Sequence, residues 1–299
     1  MKKTAVILGA TGKVGGKVSE ILLKEGRRVK LIARTPETLN KYRDMGAEVI
    51  AADIANVNAL TNAFKNADSV FVLLPPYLKA ISYRQYQRKI GDAIIQAIEQ
   101  SGIQYVINLS SCGAHMHEGN GIIAGLAEQE VKLNQLESVN VLHLRPAYFM
   151  ENSLSNIGLI KGTGINGSTA DGDHKIPMTA TKDIAVVAAK HIANQDFSGK
   201  IVQAVLGDSN YSFKEFTEIL GNSIGKPGLR YIQFPPEQAK QAMMSHGISE
   251  DVAKDIIGME TSLAEGVMNY ERRNDKNTTP TSAEEFAQEV FLPTYTKFL

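Results

Sequence analysis

The stretch VILGATGKVGGKV, residues 6–18, decides the fold. An apolar run ends at Gly9, two further glycines follow at three-residue spacings, Gly12 and Gly15, and a helical pattern continues over Lys17 to Leu23. Glycines permit a tight turn and let the backbone approach a pyrophosphate, which binds the free amides at the positive end of the helix dipole. The usual fingerprint is Gly-x-Gly-x-x-Gly, so a purely structural turn is the alternative. The strand before the glycines and the helix after them favour dinucleotide binding.

The alternation of strand and helix continues along the first half of the chain. Short apolar runs rich in β-branched residues, typical of buried parallel strands, are separated by longer segments with helical spacing, such as Arg84 to Glu99. This rhythm predicts an α/β fold, a doubly wound parallel sheet of the Rossmann type with helices on both faces. The predicted strands are Thr4 to Leu8, Arg28 to Ala33, Glu48 to Ala51, Ser69 to Leu73, Tyr105 to Leu109 and Val139 to Leu144.

The rhythm fails after Pro146. Residues 152–180 are rich in Gly, Asn, Ser and Thr and predict loop with short irregular strands, whereas Lys182 to Ala193 and Lys200 to Leu206 predict a helix and a strand that rejoin the sheet. From Ser212, a predicted N-cap, the chain turns mainly helical. We expect residues 1–152 and 181–207 to form the dinucleotide-binding domain. Residues 153–180 and 208–299 form a smaller, mostly helical lobe for a substrate or a partner.

Composition narrows the kinds of partner. The 299 residues are 43% hydrophobic, and 32 Lys plus Arg balance 32 Asp plus Glu, which argues against nucleic acid or an anionic membrane and favours a small-molecule ligand. Cys112 is the one cysteine, so an intrachain disulfide and a thiolate metal cluster are impossible. The first apolar run ends at Gly9, too early for a signal sequence or a membrane span. We therefore expect a cytoplasmic protein.

The residue after the second strand bears on the choice of cofactor. An acidic residue about twenty positions after the glycines would hold the ribose hydroxyls of NAD. This chain has Arg34 there, nineteen positions after Gly15, and no carboxylate before Glu37. A guanidinium suits a 2′-phosphate, so NADP(H) is favoured over NAD(H). The alternative is that Arg34 is an ordinary surface charge.

Several motifs along the chain together resemble one family. They are GATGKVG at residues 9–15, Arg34, Asp53-Ile54 after the third strand, Ser110-Ser111 after the fifth, and LRPAYFMEN at residues 144–152. This ordered set resembles the NmrA-like family of atypical short-chain dehydrogenases and reductases. That family includes NADPH-dependent quinone, azo-dye and isoflavone-type reductases, and also redox-sensing regulators. The resemblance runs over essentially the whole chain and leaves the substrate open.

The resemblance implies a role for particular residues of this chain. Arg34 would hold the adenosine 2′-phosphate, with Lys13 as either a further phosphate contact or a solvated side chain. Asp53 and Ile54 would meet the adenine, although Asp53 also suits a helix N-cap or a turn. The remaining implied contacts are Gly9, Thr11, Gly12, Lys13, Val14 and Gly15 at the pyrophosphate, Leu74 and Pro75 at the nicotinamide ribose, and Pro146, Tyr148 and Phe149 beside the nicotinamide.

The catalytic pattern departs from the wider dehydrogenase superfamily. That superfamily uses Tyr-x-x-x-Lys, in which the lysine lowers the pKa of the phenol that transfers the proton. The helix around Ala124 to Glu137 has no tyrosine, and Gly125-Leu126-Ala127 stands where isoflavone-type reductases carry a catalytic lysine. The polar groups left near the expected nicotinamide are Ser110, Ser111, Cys112, His115, His117 and Tyr148.

Each of these groups also has a plain structural interpretation. The serines suit the end of a strand, the histidines suit a solvated loop, and Cys112 is either a redox-sensitive thiol or buried filler. His115 and His117 have no third ligand at a suitable spacing, so no metal site is predicted. Ser110, Ser111, His115 and Tyr148 are therefore weak catalytic candidates.

Two functions fit these observations. The first is an NAD(P)H-dependent reductase of a small apolar acceptor, such as a quinone, azo compound or enone, with the proton supplied by solvent. Met243, Met244, Met259 and Met268 would line its pocket or fill the core. The second is a non-enzymatic NADP(H)-binding redox sensor that regulates a protein partner. An epimerase or dehydratase fits the fold but normally needs the missing Tyr and Lys.

Overall fold

A computed structural model describes residues 3–116, 118–268 and 270–298, so His117 lies outside the described residues. The strands are β1 Thr4–Ile7, β2 Arg28–Ala33, β3 Glu48–Ala51, β4 Ser69–Val72, β5 Tyr105–Leu109, β6 Asn140–Pro146, β7 Tyr148–Phe149, β8 Ile165–Ser168, β9 Ile176–Thr179, β10 Lys200–Val205, β11 Asn210–Tyr211 and β12 Arg230–Gln233. The α-helices are α1 Lys13–Lys24, α2 Asn40–Asp44, α3 Val57–Phe64, α4 Tyr83–Ser101, α5 Ala124–Asn134, α6 Ile157–Thr163, α7 Thr181–Asn194, α8 Phe213–Ser223, α9 Pro236–Ser245, α10 Glu250–Ser262, α11 Ala283–Phe286 and α12 Leu292–Lys297. Shorter 3₁₀ turns lie at Pro36–Leu39, Gly121–Ile123, Met150–Asn156 and Leu263–Glu265, and a π-helical turn spans Ala287–Phe291.

Within the described residues, seven strands form one central sheet in the order β10-β6-β5-β4-β1-β2-β3. Every neighbouring pair in it is parallel. The predicted doubly wound sheet is confirmed, including the return of the strand at Lys200 to the sheet beside β6. The strand order reverses between β1 and β4, because β2 and β3 lie on one side of β1 and the later strands on the other. Ligands of such sheets bind at that reversal, beyond the carboxyl ends of the strands.

Helices cover both faces of the sheet. On one face α1 and α7 pack together through residues such as Val18, Leu22 and Ile184, all without solvent exposure. On the other face α3, α4 and α5 bury Phe64, Ile94 and comparable side chains. Each of these large side chains contributes roughly 1.5–3 kcal/mol by leaving water. The sheet is therefore a rigid support for the loops at its carboxyl edge.

Residues 152–180 are more ordered than the sequence predicted. The prediction of loop and short strands is wrong at α6, because Ile157 and Ile160 share one helical face and are fully buried in a second core. The helix ends at Gly164, whose φ of +71° suits a glycine C-cap. The composition rich in Gly and Asn concealed this short amphipathic helix, and its burial in the second core stabilises it.

The second core joins segments that are far apart in the sequence. It contains Ile157 and Ile160 of α6 together with aromatic side chains that include Phe213, Phe216 and Phe286. Two small sheets, β11-β9-β7 and β12-β8, accompany the helices. The predicted N-cap at Ser212 is confirmed as a complete capping box with Glu215. None of the helices in the described ranges is both long and apolar enough to cross a membrane.

Candidate functional site

The glycine turn between β1 and α1 requires its glycines. Gly9 has a φ of +70°, which favours glycine, and the Gly12 N–H donates to the Gly9 carbonyl at 2.9 Å. A Cβ on Gly15 would lie 2.9 Å from the Leu8 carbonyl oxygen and closer still to that of Gly9. The turn is thus packed so tightly against the end of β1 that no side chain fits at Gly15. This close approach of helix to strand leaves the start of α1 open on its outer side.

The start of α1 has free donors that point to an anion. Gly12 is the N-cap, it has no side chain to satisfy the first amides, and the first turn contains no acidic residue. Thr11, Gly12 and Lys13 are exposed, whereas Val14 is buried against the sheet. Unpaired N–H groups and the helix dipole together favour a phosphate at this position. The turn therefore fits the pyrophosphate of a dinucleotide.

Lys13 connects this turn to the LRPAYFMEN segment. Its Nζ donates to the Glu151 carbonyl at 3.2 Å. Both oxygens of the buried Glu151 carboxylate accept the Thr181 N–H at 3.0 Å, and the carboxylate also accepts the Thr181 hydroxyl. Glu151 thereby caps the start of α7. In the sequence, Glu151 stood out only as one residue of the LRPAYFMEN motif. Its capping role depends on a contact thirty residues away in sequence, which spacing alone does not reveal.

Arg34 and Asp53 share a neighbour, Tyr86. Burial raises the pKa of Tyr86, the Arg34 charge lowers it and the Asp53 charge raises it, so both charges are close to this one ring. Tyr86 on α4 donates its hydroxyl to the Pro75 carbonyl at 3.0 Å. Asp53 Oδ1 accepts the Ala55 N–H at 2.9 Å in a turn, as the alternative interpretation of this residue expected.

The positions predicted for the nicotinamide end share the carboxyl edge of the sheet. Leu74 is buried and Pro75 half-buried after β4, and the buried Pro146 ends β6. Phe149 in β7 packs toward the core shared with α7, whereas its neighbour Tyr148 faces the second core. Neighbouring residues of a strand point to opposite sides, so only one of this pair can share a given face.

Ser110 donates a hydrogen bond to a buried ion pair. Its Oγ donates to Glu130 Oε1 at 2.5 Å, and Glu130 accepts from Arg145 at 2.6 Å and 3.0 Å. Glu130 and Arg145 side chains are only 5% and 12% exposed. The serine hydroxyl is therefore committed to a structural network, which the sequence did not indicate because Glu130 and Arg145 meet only in the fold.

Ser111 and Cys112 are also occupied by their surroundings. Ser111 Oγ donates to the Cys112 carbonyl at 2.9 Å, and Cys112 Sγ donates to the Arg145 carbonyl at 3.2 Å. Burial raises the pKa of Cys112 to about 12, so the thiol stays protonated at neutral pH. The exposure that a redox-sensitive thiol requires is absent, and Cys112 fills the core.

Tyr148 has the environment of a structural tyrosine. Its ring meets Phe213 edge to face at a centroid distance of 5.2 Å within the second core. Burial is the main cause that raises the pKa of Tyr148, and the charge of Glu260 raises it further. A tyrosine that transfers a proton at neutral pH needs the opposite shift. Among the described residues, a hydrogen bond with Asn152 lowers the pKa of Tyr148, but burial outweighs it and leaves the phenol protonated at neutral pH.

Unlike the other three candidates, His115 has a buried polar atom that forms no hydrogen bond with the described residues. Its ring stacks on Tyr270 with centroids 3.9 Å apart, and its Nδ1 is buried without a hydrogen-bond partner in the described part of the chain. Burial lowers the pKa of His115, as does Arg145, against smaller opposing effects of Glu130 and Glu271. The imidazole is therefore neutral at pH 7 and carries one N–H. Tyr270, which the sequence did not single out, covers it.

Apolar groups surround the same edge. Ile122, and Leu126 of the helix that lacks the Tyr-x-x-x-Lys pair, pack against the second core, as Met259 and Met268 do. Met243 is half-buried and Met244 is 37% exposed at the end of α9. The core role predicted as one alternative for the methionines thus applies to Met259 and Met268.

The loop between β4 and α4 forms an exposed apolar rim. Tyr77, Leu78 and Ile81 are exposed there, Ile81 to 94%. The loop is held by α10, because Ser249 at the start of that helix donates its N–H to the Leu78 carbonyl at 2.9 Å and Asp251 accepts the Tyr83 N–H at 2.7 Å. The second part of the chain is thus bound directly to one wall of the cleft.

Comparison with known proteins agrees with this geometry. The model of the NmrA-like family matches residues 1–287. An NAD(P)H azoreductase of Xenophilus azovorans is 25% identical over 248 residues, 83% of either chain. The NADPH-dependent quinone oxidoreductase of Escherichia coli, solved with NADPH, superposes with a TM-score of 0.75 at 22% identity, covering 96% of this chain and 99% of the other. The negative transcriptional regulator NmrA, solved with NADP, gives 0.69 at 15% identity, covering 99% and 97%.

Proposed function

The chain belongs to the NmrA-like family, and from this premise we propose that it is an NADP(H)-dependent reductase of small, flat, apolar acceptors such as quinones, azo compounds or enones. The observation that carries the proposal is the unpartnered, glycine-bounded start of α1, with the exposed Arg34 at the end of the next strand. The relatives named as azoreductase and quinone oxidoreductase support the reaction class. Neighbours solved with NADPH and NADP(H) support the cofactor.

Binding of the cofactor would follow the edge of the sheet. The free amides from Lys13 to Gly15 would hold the pyrophosphate, and Arg34 would neutralise the 2′-phosphate. Among the described residues Arg34 forms no ion pair with a carboxylate, so its guanidinium is available. Asp53 and Ile54 would border the adenine, and Leu74, Pro75, Pro146 and Phe149 the nicotinamide and its ribose.

The bound dinucleotide supplies the hydride, and this chain supplies position and an apolar surface. Pro146, Leu126 and Ile122 present no group that would compete for a hydride, and the apolar Tyr77, Leu78 and Ile81 favour a flat apolar acceptor. The neutral His115 donates a hydrogen bond to the acceptor oxygen or nitrogen that gains charge. Water then provides the proton, which limits the enzyme to acceptors that take up electrons readily.

Steady-state assays with NADPH and NADH test this proposal. We expect NADPH oxidation with a panel of a naphthoquinone, an azo dye and a cyclic enone, and a selective loss of NADPH affinity in Arg34→Gln. Arg28→Gln is the matched control, because Arg28 is exposed at the opposite end of the same strand. Absence of turnover above background with every acceptor contradicts the reductase. Equal effects of Arg34→Gln on both cofactors contradict the 2′-phosphate contact.

An NADP(H)-binding regulator is the second proposed function. Ser110, Ser111 and Tyr148 are all engaged in structural contacts, which leaves His115 as the one free polar group of the four within the described ranges. The regulator NmrA shares the fold. Affinity purification with NADPH or NADP present tests this role. A partner whose retention changes with the cofactor's redox state, in a protein that turns over no acceptor, supports it, and indifference to cofactor contradicts it.

We also propose the two-part division and the location inferred from the sequence. Residues 1–152 and 181–207 would bind the dinucleotide, and 153–180 and 208–299 would bind the acceptor. The packing of α6 against Phe213 and Phe286 supports the second grouping. A chain with one buried cysteine is suited to a cytoplasmic location. Limited proteolysis and fractionation test these two statements.

A further inference from the structure

A polar cavity lies beyond the end of β10, and none of its lining residues is among those assigned to the dinucleotide. It has a volume of about 430 Å³, within the range of small-molecule sites. Three chain segments form its walls: β9 at Pro177, the turn from β10 to β11, and a strap at residues 271–273. The lining residues are Pro177, Leu206, Asp208, Ser209, Asn210, Glu271, Arg272 and Arg273.

Asp208 has a buried oxygen without a partner. Its Oδ2 accepts the hydroxyl of Tyr211 at 2.8 Å, whereas its Oδ1 is shielded from solvent and accepts no hydrogen bond from the described residues. Buried acceptors are almost always satisfied, and an exception points to a missing water or ligand. Asp208 is half-buried and lines the cavity, so a small rotation of its carboxylate would present this oxygen to a hydroxyl or ammonium group bound there.

The two arginines of the strap have different tasks. Arg273 is committed to the protein, since it donates to the Leu206 carbonyl at 3.1 Å, to the Gly207 carbonyl and to Asn210 Oδ1 at 2.7 Å. Arg272 is exposed, and of its groups only the backbone carbonyl has a hydrogen bond among the described residues, from Asn277 Nδ2 at 3.0 Å. The Arg272 guanidinium is therefore free to bind an anion.

We propose that this cavity binds a small molecule that carries both a hydroxyl donor and an anionic group, such as a phosphorylated or carboxylated polyol. The hydroxyl donates to Asp208 Oδ1, and the phosphate or carboxylate pairs with Arg272. Arg273 holds the turn in place and its charge offsets that of Asp208. Glu271 of the same wall acts electrostatically on His115, which places the cavity next to the acceptor end of the cleft. The ligand is thus either the polar end of the acceptor or a separate effector with the same chemistry.

Ligand-detected NMR and calorimetry on the full chain test the site. The probe is glycerol 3-phosphate, with glycerol and inorganic phosphate as its two halves. We expect saturable binding of glycerol 3-phosphate and at least about tenfold weaker binding of either half, because each half loses one of the two contacts. Arg272→Gln and Asp208→Asn should weaken the binding of glycerol 3-phosphate by a similar factor. Lys276→Gln is the matched control, since Lys276 is exposed, follows the strap in sequence and does not line the cavity.

Three results overturn the site. They are no saturable binding of glycerol 3-phosphate, equal binding of inorganic phosphate alone, and unchanged affinity in Arg272→Gln, which alters an exposed side chain and leaves the fold intact. A competition assay then separates the two sources of the ligand. Glycerol 3-phosphate that raises the KM for the acceptor marks the cavity as part of the acceptor site, and binding with an unchanged KM marks an effector site. If the protein reduces no acceptor, the proposed reductase fails, but the measured binding of glycerol 3-phosphate to the cavity still decides the proposal made here.

Discussion

Arg145 Nη2 and Glu130 Oε2 lie 2.6 Å apart in an ion pair between β6 and α5, beneath the carboxyl edge of the sheet. Both side chains are almost completely buried, and Ser110 adds a third hydrogen bond to the carboxylate. Such a pair contributes little over an apolar replacement, but the loss of one member leaves a buried charge uncompensated. The pair is therefore a requirement of the fold close to the place proposed for the acceptor.

Glu130→Gln should destabilise the protein by about 3 kcal/mol or more, because Arg145 keeps its charge without a counter-ion. Urea unfolding followed by circular dichroism measures this change. Glu128→Gln on the same helix is the control. Glu128 pairs with Arg84, Arg88 and Lys132 in a partly exposed network, where a loss of at most about 1 kcal/mol is expected. A smaller loss at Glu130 than at Glu128 would contradict the structural role of the pair.

His143 should make the stability of the fold depend on pH. Burial lowers the pKa of His143 to about 4, and its neutral ring accepts from Asn108 Nδ2 at 3.1 Å while it donates to Asn134 Oδ1 at 2.9 Å. The unfolded chain has a histidine pKa of about 6.5, so it binds the extra proton first as the pH falls. Stability is therefore complete above pH ~6.5 and decreases toward pH ~4 by up to about 3 kcal/mol.

Unfolding midpoints between pH 4 and pH 8 measure this dependence. His143→Gln should flatten the slope between pH ~4 and pH ~6.5, because glutamine has no titrating group. His246→Gln serves as the control, since His246 is exposed at the end of α9. An equal slope in wild type and His143→Gln would show that other groups cause the acid sensitivity.

His115→Ala should lower kcat for a quinone by about tenfold or more, because it removes the hydrogen bond to the acceptor in the transition state. The KM for NADPH should not change, since His115 is not among the residues assigned to the dinucleotide. The low pKa of His115 also predicts a constant kcat from about pH 7 to pH 9. Wild-type kcat in the alanine variant with every acceptor would exclude this residue from the reaction.

Gly15→Ala should weaken the binding of NADPH, whereas Gly162→Ala should stabilise the fold. The methyl group at residue 15 would overlap the carbonyls at the end of β1, so the glycine turn must shift and NADPH affinity should fall by about tenfold or more. The methyl group at residue 162 meets nothing within 4 Å, and alanine favours helix α6 by roughly 0.5–1 kcal/mol. Fluorescence titration with NADPH and thermal unfolding measure both changes. Normal NADPH binding by Gly15→Ala would refute the tight turn.

The sequence predicted the central sheet well because its signals are local. Each strand is a short apolar run, and the turn at Gly9 to Gly15 has its own composition. Helix α6 was missed because its apolar run at residues 157–160 is only four residues long and is flanked by residues typical of loops, such as Asn156 and Gly162. The partners of Ser110, the stack of Tyr270 on His115 and the orphaned oxygen of Asp208 were not predictable. They depend on contacts between distant segments, which composition and spacing do not specify.

The contact of Lys13 with the Glu151 carbonyl has a kinetic consequence. An ammonium group has three donors, so a phosphate at the start of α1 can share Lys13 with this carbonyl. Arrival of the cofactor therefore ties the glycine turn more firmly to the chain that leads from β7 toward the second core. We expect the two ligands to bind in a fixed order, cofactor before acceptor, with the reduced product released before the spent cofactor.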